Sequence, residues 1–192
     1  MSDTQDEFRL VGLAREGDRQ AFGELVRRHA SNVRRLAAGI LGDASEAEDA
    51  AQEVFVKAWR GLKGFKSESS FSTWVHRITV NHCRDVLRRR RRGGWLTLDG
   101  LIEVVAGRRA MDEGKPDETA GETDAKDELR QVLGGLPEDY RTVLLLRELN
   151  GLSYEEIART MRVTVDSVKA RLKRARRAAL AAARHLEAGD DV

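Results

Sequence analysis

The sequence predicts an all-α protein with two small helical domains that are joined by an acidic, flexible linker. Aromatic residues make up 5% of the chain, proline occurs twice and charged residues reach 34%, a composition that disfavours a β-sandwich or β-barrel. Apolar residues recur at steps of three and four, which is the spacing of one helix face. Charge is also segregated: 18 Lys and Arg stand against 13 Asp and Glu in residues 1–92, 4 against 10 in residues 93–128, and 12 against 9 in residues 129–192. Two basic blocks separated by an acidic one indicate two modules that face nucleic acid.

The first domain, residues 1–92, should contain four helices. We expect them over residues 7–15, 18–42 and 45–62, with a fourth helix that starts at residue 70 or 72 and runs into residues 88–92. Asp18 is placed to cap the N-terminus of the second helix, and Gly42 is placed to end it. Phe8 is expected on the buried side of the first helix, together with Val11. The apolar sides of these helices are broad enough to share one core.

Residues 93–124 are predicted to form the linker. Two glycine breaks are followed by an apolar cluster between Trp95 and Val105, and then by an acidic stretch over residues 111–124. So polar a stretch cannot bury enough surface to offset the entropy lost on ordering, and it should be flexible. The apolar cluster should pack either on the first domain or on a partner protein.

The second domain, residues 125–192, should contain four helices, over residues 125–134, 137–149, 153–161 and 164–184. Its stretch SYEEIARTMRVTVDSVKARLKRARR, residues 153–177, predicts a helix-turn-helix. Ser153 and Glu156 have the spacing of a capping box, and Thr164 caps the second helix after a short turn.

The second helix of this motif has one side that suits the major groove of DNA. Lys and Arg can meet guanine edges, and a small Ala can approach a thymine methyl group. A solvated basic helix is the alternative interpretation. The outward residues are Asp166, Ser167, Lys169, Ala170, Lys173 and Arg174, and Arg171, Arg176 and Arg177 are better suited to phosphates.

The fourth helix of the first domain combines aromatic residues with arginines. Phe65, Phe71 and Trp74 are interleaved with small polar residues and with Arg77 and Arg84. Such a mixture suits single-stranded DNA, on whose bases aromatic rings stack, although Phe71 and Trp74 could equally belong to the core. The five consecutive arginines that follow are not expected to find five local partners. They predict either a polyanionic partner or a solvated basic tail.

The third helix carries an acidic face in which Asp49, Gln52 and Glu53 lie at helical spacing. Acidic groups do not suit a DNA contact. The face is therefore either solvated or a docking surface for a basic partner protein.

The sequence offers no catalytic constellation, metal site or cofactor motif. The lone Cys83 excludes a disulfide framework, and His76 and His82 do not share a helix face. No apolar run approaches the roughly 20 residues that span a bilayer, and the acidic N-terminus is unlike a signal peptide. We therefore expect a cytoplasmic protein that is not an enzyme and does not insert into a membrane.

Taken together, the motifs resemble a bacterial RNA polymerase sigma factor of the sigma-70 family, of the extracytoplasmic-function (group four) type. Their order carries the resemblance, which extends from Phe8 to Leu186: GDRQAFGELVRRH, EAEDAAQEVFVKAW, SSFSTWVHRITVNHCRDVLRR, LPEDYRTVLLLRELNGLSYEEIA and TVDSVKARLKRARR. The short form of this family has regions two and four without a region three, which fits the two domains and the linker.

The resemblance implies roles for individual residues. The set implied to bind the coiled coil of the polymerase β′ subunit is Asp49, Gln52, Glu53 and Phe55. The set implied to meet the minus-ten element, by capturing a flipped base and contacting the melted strand, is Phe65, Ser67, Glu68, Ser69, Ser70, Phe71, Trp74, Arg77, Asn81 and Arg84. The set implied to meet the minus-thirty-five element is Ser167, Lys169, Ala170, Arg171, Lys173, Arg174 and Arg176.

The resemblance also implies partners. Core RNA polymerase would be contacted through its β′ coiled coil and its β flap, promoter DNA would be met as duplex and as melted strand, and an anti-sigma factor would silence the chain. The alternative is a free-standing helix-turn-helix regulator with an N-terminal sensing or dimerisation domain. A third possibility is an RNA-binding, antiterminator-like protein that uses the arginine run.

Overall fold

A computed structural model describes residues 2–66, 69–93 and 120–189, and these residues are helical with no strand among them. The predicted all-α class is confirmed. The helices are α1 Ser2–Arg15, α2 Arg19–Leu41, α3 Ala44–Gly61, α4 Phe71–Gly93, α5 Ala120–Gly135, α6 Glu138–Leu144, α7 Tyr154–Met161 and α8 Val165–Gly189. A 3₁₀ turn, Leu62–Gly64, follows α3, and a π-helical turn, Leu145–Leu149, continues α6.

Most helix ends follow the local chemistry of the sequence. The carboxylate of Asp18 accepts hydrogen bonds from the N–H groups of Gln20 and Ala21, and Gly42 ends α2 at φ 76°, in the left-handed region that glycine tolerates. The capping box predicted at the start of α7 is confirmed: the Ser153 hydroxyl accepts from the N–H of Glu156, and the Glu156 carboxylate accepts from the N–H of Ser153.

The structure corrects several expectations for single residues. Helix α3 begins at Ala44, one residue before its expected start at residue 45, because the Asp43 carboxylate accepts from the N–H of Glu46 and caps the helix. The expectation that Phe8 is buried was wrong: its side chain is 70% exposed, and α1 buries Leu10, Val11 and Ala14 instead. Helix α5 begins at Ala120, inside the segment predicted as linker, and the cluster between Trp95 and Val105 lies outside the described residues.

The first hydrophobic core lies inside the first domain, where α1, α2, α3 and α4 pack together. Leu25, Val33, Val54 and Val75 are fully buried at its centre. Its wall includes four aromatic side chains and the apolar sides of α1 and α3. Those members are Leu10, Val11, Ala14, Ala51, Phe55, Ala58, Leu62, Phe65, Phe71 and Trp74.

The second hydrophobic core joins the two domains. It contains Leu36, Ala37, Ile40, Val80 and Cys83 of the first domain, and Val143, Leu144, Leu145, Leu146, Ile157, Val168 and Leu172 of the second. At Gly39 the two domains come so close that a Cβ atom would lie 2.7 Å from Cδ1 of Leu145. The domains are thus packed directly against each other by a continuous apolar layer.

Candidate nucleic-acid interface

The helix-turn-helix is built by α7, α8 and the short turn between them. Arg162 ends α7 at φ 57°, in the left-handed region, and its N–H bonds back to the carbonyl of Ala158. The N–H of Ser167 then donates to the hydroxyl of Thr164, 3.2 Å away, at the start of α8. Val168, Leu172 and Ala175 of α8 are buried, as their spacing predicts, and they fix the helix against the core.

The opposite side of α8 faces solvent. Lys169, Ala170, Lys173 and Arg174 are exposed, and Ser167 is half-buried beside them. The face presents two lysine ammonium groups, one arginine guanidinium group and the small side chain of Ala170. This combination suits both phosphates and base edges in a major groove.

Three basic side chains of α8 lie within ion-pair distance of carboxylates. Lys169 Nζ lies 3.4 Å from Asp166 Oδ1, which is an exposed pair of little strength. Arg176 Nη2 lies 2.8 Å from Glu148 Oε1. Arg171, predicted as a phosphate contact, is three-quarters buried and pairs with Asp139 at 3.1 Å.

Phe65, Phe71 and Trp74 of the first domain form one buried aromatic cluster. The ring centroids of Phe65 and Trp74 are 4.9 Å apart, and those of Phe71 and Trp74 are 5.7 Å apart. Phe65, Phe71 and Trp74 are respectively 6%, 2% and 8% exposed, so these side chains belong to the first hydrophobic core. Base stacking on these rings would be limited to the edge of Trp74 that lines the groove between α3 and α4.

The loop before α4 is partly described. Ser70 caps α4, because its hydroxyl accepts from the N–H of Thr73 at 3.0 Å. Ser69 is half-buried beside it. The predicted site residues Ser67 and Glu68 lie outside the described residues.

Helix α4 presents its polar candidates along one side. Arg77 is exposed, and Asn81 and Arg84 are half-buried. Lys57 of α3 and His82 of α4 line the same groove as Trp74 and Asn81. The ammonium of Lys57 donates to Nδ1 of His82 at 2.6 Å, and burial together with the Lys57 charge lowers the pKa of His82, which keeps that ring neutral.

Lys57 and His82 are additions to the sequence-based site. The sequence draws attention to His82 only as a possible metal ligand, and to Lys57 only as a neighbour of the acidic face. Their approach depends on how α3 packs on α4, and the spacing of residues along the chain does not carry that information.

The acidic face of α3 is exposed where predicted. Asp49, Gln52 and Glu53 all face solvent, next to the 39%-exposed side chain of Val56. Phe55 does not lie on this face: it is 8% exposed and belongs to the first core. Its side chain would therefore support the face from beneath.

Three arginines of the run, residues 88–92, have carboxylate partners. Arg88 pairs with Asp85, Arg90 pairs with Glu46, and Arg91 lies 3.2 Å from Glu138. Three of the five arginines therefore pair with carboxylates, which α3, α4 and α6 bring to the run, and this agrees with the expectation that not all five would be paired locally. These side chains remain exposed, so phosphates could still compete for them.

Polar contacts cross the boundary between the domains on either side of the apolar layer. The hydroxyl of Thr73 donates to Glu156 Oε1 at 2.7 Å, and Asn150 Nδ2 lies 3.2 Å from His76 Nε2. Burial raises the pKa of Glu156, but hydrogen bonds from Ser153 and Thr73 outweigh it, so the pKa is lowered overall. Burial, with a smaller effect of His29, lowers the pKa of His76 to about 4.

The described residues contain no cluster of metal-ligating side chains. Among them, no group of three or more His, Cys, Asp or Glu side chains is placed to hold a metal ion. Burial raises the pKa of Cys83 to about 12, so its thiol is not a nucleophile near neutral pH. In the same part of the chain, none of the helices is both long and apolar enough to cross a bilayer.

Two family models match the chain, and each match lies within one of the helical domains. Sigma-70 region 2 matches residues 25–93, and Sigma-70, region 4 matches residues 126–178. The first match contains α3, α4 and the loop between them, and the second contains the helix-turn-helix.

Curated relatives align over nearly the whole chain. The RNA polymerase sigma-H factor of Pseudomonas aeruginosa is 37% identical over 93% of this chain and 93% of its own length. The ECF RNA polymerase sigma-E factor of Escherichia coli K12 is 34% identical over 93% of this chain and 94% of its own length.

Solved structures agree with these alignments. CnrH, in complex with the cytosolic domain of CnrY, is 26% identical and superposes with a TM-score of 0.68 over 92% of this chain and 96% of its own. The sigma factor RpoE of Bartonella quintana, in complex with the anti-sigma factor NepR, is 22% identical and shares the fold, with a TM-score of 0.65 over 84% and 95%. The free-standing regulator considered as an alternative is not favoured by any of these matches. The chain therefore belongs to the sigma-70 family, as an RNA polymerase sigma factor of the ECF type that acts in transcription initiation.

Proposed function

We propose that the chain binds core RNA polymerase in the cytoplasm and directs it to promoters by reading two elements with two different helices. The observation that carries this proposal is that each family match contains a helix with a buried apolar side and an exposed basic side: α4 in residues 25–93 and α8 in residues 126–178. A protein that reads one element would need only one of them. The chain itself catalyses no reaction in this scheme.

Helix α8 is proposed to read the minus-thirty-five element as duplex DNA. The exposed row Lys169, Ala170, Lys173 and Arg174 supports this role, because the buried row behind it fixes the direction in which these side chains point. Arg174 and Lys173 are the residues with the reach to meet guanine edges. Arg176, 53% exposed in its pair with Glu148, would contact a flanking phosphate.

Helix α4 and the loop before it are proposed to hold the melted minus-ten strand. Exposed Arg77 and half-buried Asn81 lie beside the groove lined by Trp74, Lys57 and His82. Arginine and lysine would follow the backbone of the strand, and the amide of Asn81 could meet a base edge. The buried aromatic cluster is then the rigid support of this surface, with only the edge of Trp74 available to a base.

The exposed acidic face of α3 is proposed to dock on the β′ coiled coil of the polymerase. Asp49 and Glu53 supply charge, and Gln52 supplies a neutral hydrogen-bonding group. Exposed Val56 supplies apolar surface. Protein interfaces combine such an apolar centre with a polar rim. The second domain is proposed to meet the β flap.

An inhibitory protein is proposed as a further partner. The B. quintana sigma factor of the same fold is in complex with an anti-sigma factor, and CnrH is in complex with the cytosolic domain of CnrY. A protein that separates or covers the two domains of this chain would prevent them from reaching two promoter elements at once.

A set of charge variants tests these roles on a promoter fragment selected by the chain together with core polymerase. K173A and R174A should each weaken promoter binding by about 1–3 kcal/mol and relax sequence preference upstream, whereas R184A, an exposed arginine further along α8, should not.

The docking face is tested by charge reversal in the same assay. The double variant D49K with E53K should lose polymerase binding while keeping its helical circular dichroism, and E16K, another exposed acid of the first domain, should bind normally. Equal binding by both proteins would remove the docking role from this face.

A further inference from the structure

A pair of carboxylates at the start of α6 contacts arginines of both helices that are proposed to bind DNA. Asp139 Oδ1 lies 2.9 Å from Arg84 of α4, and its other oxygen lies 3.1 Å from Arg171 of α8. Glu138 lies 3.5 Å from Arg84 and 3.2 Å from Arg91. One acidic pair thus connects the helix proposed to hold the minus-ten strand with the helix proposed to read the duplex upstream.

The second domain by itself positions the two carboxylates. Glu138 and Asp139 are the first-turn acids of α6, after Pro137, where the helix dipole favours anions. Asp139 is further oriented by Arg171 within its own domain. The two carboxylates are therefore pre-organised to receive Arg84 from the other domain.

Arg84 lies at the edge between two sides of α4. At about 100° per residue, Arg77 and Asn81 belong to the side proposed for DNA, and Thr73 and His76 belong to the adjacent side that faces the second domain. Arg84 falls between them and is 26% exposed, with both carboxylates at its guanidinium. A phosphate that contacts Arg84 has to replace those carboxylates, since all of them bind the same fork of N–H donors.

The domain boundary has the character of a contact that can open. Among the described residues, Nδ1 of His76, Oδ1 of Asn150 and the hydroxyl of Thr160 are buried without a hydrogen-bond partner. Buried polar groups of this kind disfavour the closed arrangement, and they could be hydrated once the domains separate. The apolar layer and the ion pairs work against that separation.

The arrangement seen here cannot reach two promoter elements together. Elements named for positions −10 and −35 lie about 25 base pairs apart, which is roughly 85 Å along B-DNA at about 3.4 Å per base pair. Helix α8, with 25 residues, is only about 37 Å long, and the domains are in direct contact. They have to separate before both helices can bind.

We propose that Glu138 and Asp139 form an acidic latch that holds the free chain closed by binding Arg84 and Arg91 of the first domain in place of DNA phosphates. Within the second domain, Asp139 also occupies Arg171. The latch regulates the surfaces assigned under the proposed function and rests on that assignment for the identity of the competing polyanion. The closure itself is a property of the chain alone. Promoter DNA or polymerase would open the latch by supplying phosphates for the arginines or by binding the separated domains.

The test measures the distance between the domains in the full-length chain by energy transfer. Dyes are attached at Arg19→Cys in α2 and Arg184→Cys in α8, both exposed positions, while buried Cys83 stays unlabelled under native conditions. The double variant E138Q with D139N removes the charge of the latch and keeps its shape. E128Q with E155Q, two exposed acids of the same domain, is the matched control.

The latch variant should move the closed-to-open ratio toward the open state by roughly fivefold to thirtyfold, as for the loss of one or two kcal/mol, and the control should stay with the parent. The variant should also bind a duplex of random sequence several-fold more tightly than the control, because Arg84 and Arg171 are released. Equal energy transfer in variant, control and parent would overturn the proposal.

A second variant protects the test against misfolding. R84Q removes the arginine instead of the acids, and it should open the chain to a similar extent. Adding D139N to R84Q should have less effect than D139N alone, because the two residues share one contact. Full additivity would contradict the latch.

The outcome is separable from that of the proposed function. Closure is measured without polymerase or promoter, so latch-dependent closure in a chain that never directs transcription would leave the latch standing and remove the function. If the chain directs transcription normally but its closure does not depend on Glu138 and Asp139, the proposed function stands and the latch is removed.

Discussion

Replacing Gly39 by alanine should have opposite effects on stability, depending on whether Leu145 is present. In the closed structure, a Cβ at Gly39 would lie 2.7 Å from Cδ1, 2.8 Å from Cδ2 and 3.4 Å from Cγ of Leu145. Leu145 is 7% exposed, so its side chain has little room to move away. All three close atoms belong to the second domain, and all three are removed by L145A.

The magnitudes follow from two opposing contributions. Overpacking a buried contact costs about 1–3 kcal/mol, whereas replacing a glycine inside a helix gains about 0.5–1 kcal/mol. G39A should therefore range from nearly neutral to about 2.5 kcal/mol destabilising in the parent chain. In the L145A background, which itself costs about 2–5 kcal/mol, the clash is gone and G39A should stabilise by about 0.5–1 kcal/mol.

Urea unfolding of the parent, the two single variants and the double variant gives the coupling between the sites. G23A is the matched control in the same helix, because its Cβ would meet only Arg27 Nη1, at 4.0 Å. It should stabilise both backgrounds by a similar amount. A coupling below about 0.5 kcal/mol, with G39A behaving as G23A does, would refute the packing of α2 against the second domain.

Three further predictions concern acid sensitivity, helix capping and the second core. Burial lowers the pKa of His76 from 6.5 to about 4, and the titratable groups that affect this ring are His29 and Glu156. As pH falls from 6.5 to 4, the unfolded chain therefore takes up a proton that the folded chain excludes. Stability should drop over that window by up to about 3 kcal/mol relative to H76N, measured as urea midpoints, and parallel pH profiles of the two proteins would contradict this. S153A should cost about 1 kcal/mol in thermal unfolding, since it removes a cap that the N–H of Glu156 uses, and an unchanged melting temperature would argue against the capping box. L172A, at a 2%-exposed position, should cost about 2–5 kcal/mol, while the exposed K173A should stay within about 0.5 kcal/mol of the parent; equal losses would mean that α8 is rotated.

Local chemistry made many of the helix ends predictable. Asp18, Gly42 and Ser153 act on N–H and carbonyl groups within three or four residues, so the sequence alone contains the interaction. Where two good caps stand close together, as Asp43 and Ser45 do, the sequence does not say which one is used. The buried side of a long helix was also predictable, because apolar residues recur on it at steps of three and four.

Contacts between distant elements were not predictable in this way. Phe8 and Phe55 both fit apolar stripes, but only tertiary packing decides that Phe8 is exposed and Phe55 is buried. The arginine run finds Glu46 and Glu138 because α3 and α6 happen to pass beside it. Glu138 lies in the first turn of a helix, where the helix dipole already accounts for an acidic residue. The sequence therefore gives no sign of its contacts with Arg84 and Arg91 across the domain boundary.

The candidate site was predictable at the level of helices and less so at the level of side chains. The exposed row of α8 and the acidic face of α3 lie where their spacing indicates. The aromatic residues of the first domain were open to two interpretations, and the structure favours the core, because Phe65, Phe71 and Trp74 pack on one another. No local signal separates an aromatic residue that stacks on a base from one that stacks on its neighbour.

The most direct test of the whole account is to map transcript start sites made by core RNA polymerase on genomic DNA fragments, with and without the purified chain. We predict that the chain and core polymerase together initiate at a defined set of sites that share two upstream sequence elements, and that neither component alone does so. K173A with R174A should change use of the upstream element without abolishing polymerase binding. Start sites that are identical with and without the chain, while the chain alone protects specific DNA sequences at physiological salt, would contradict the account.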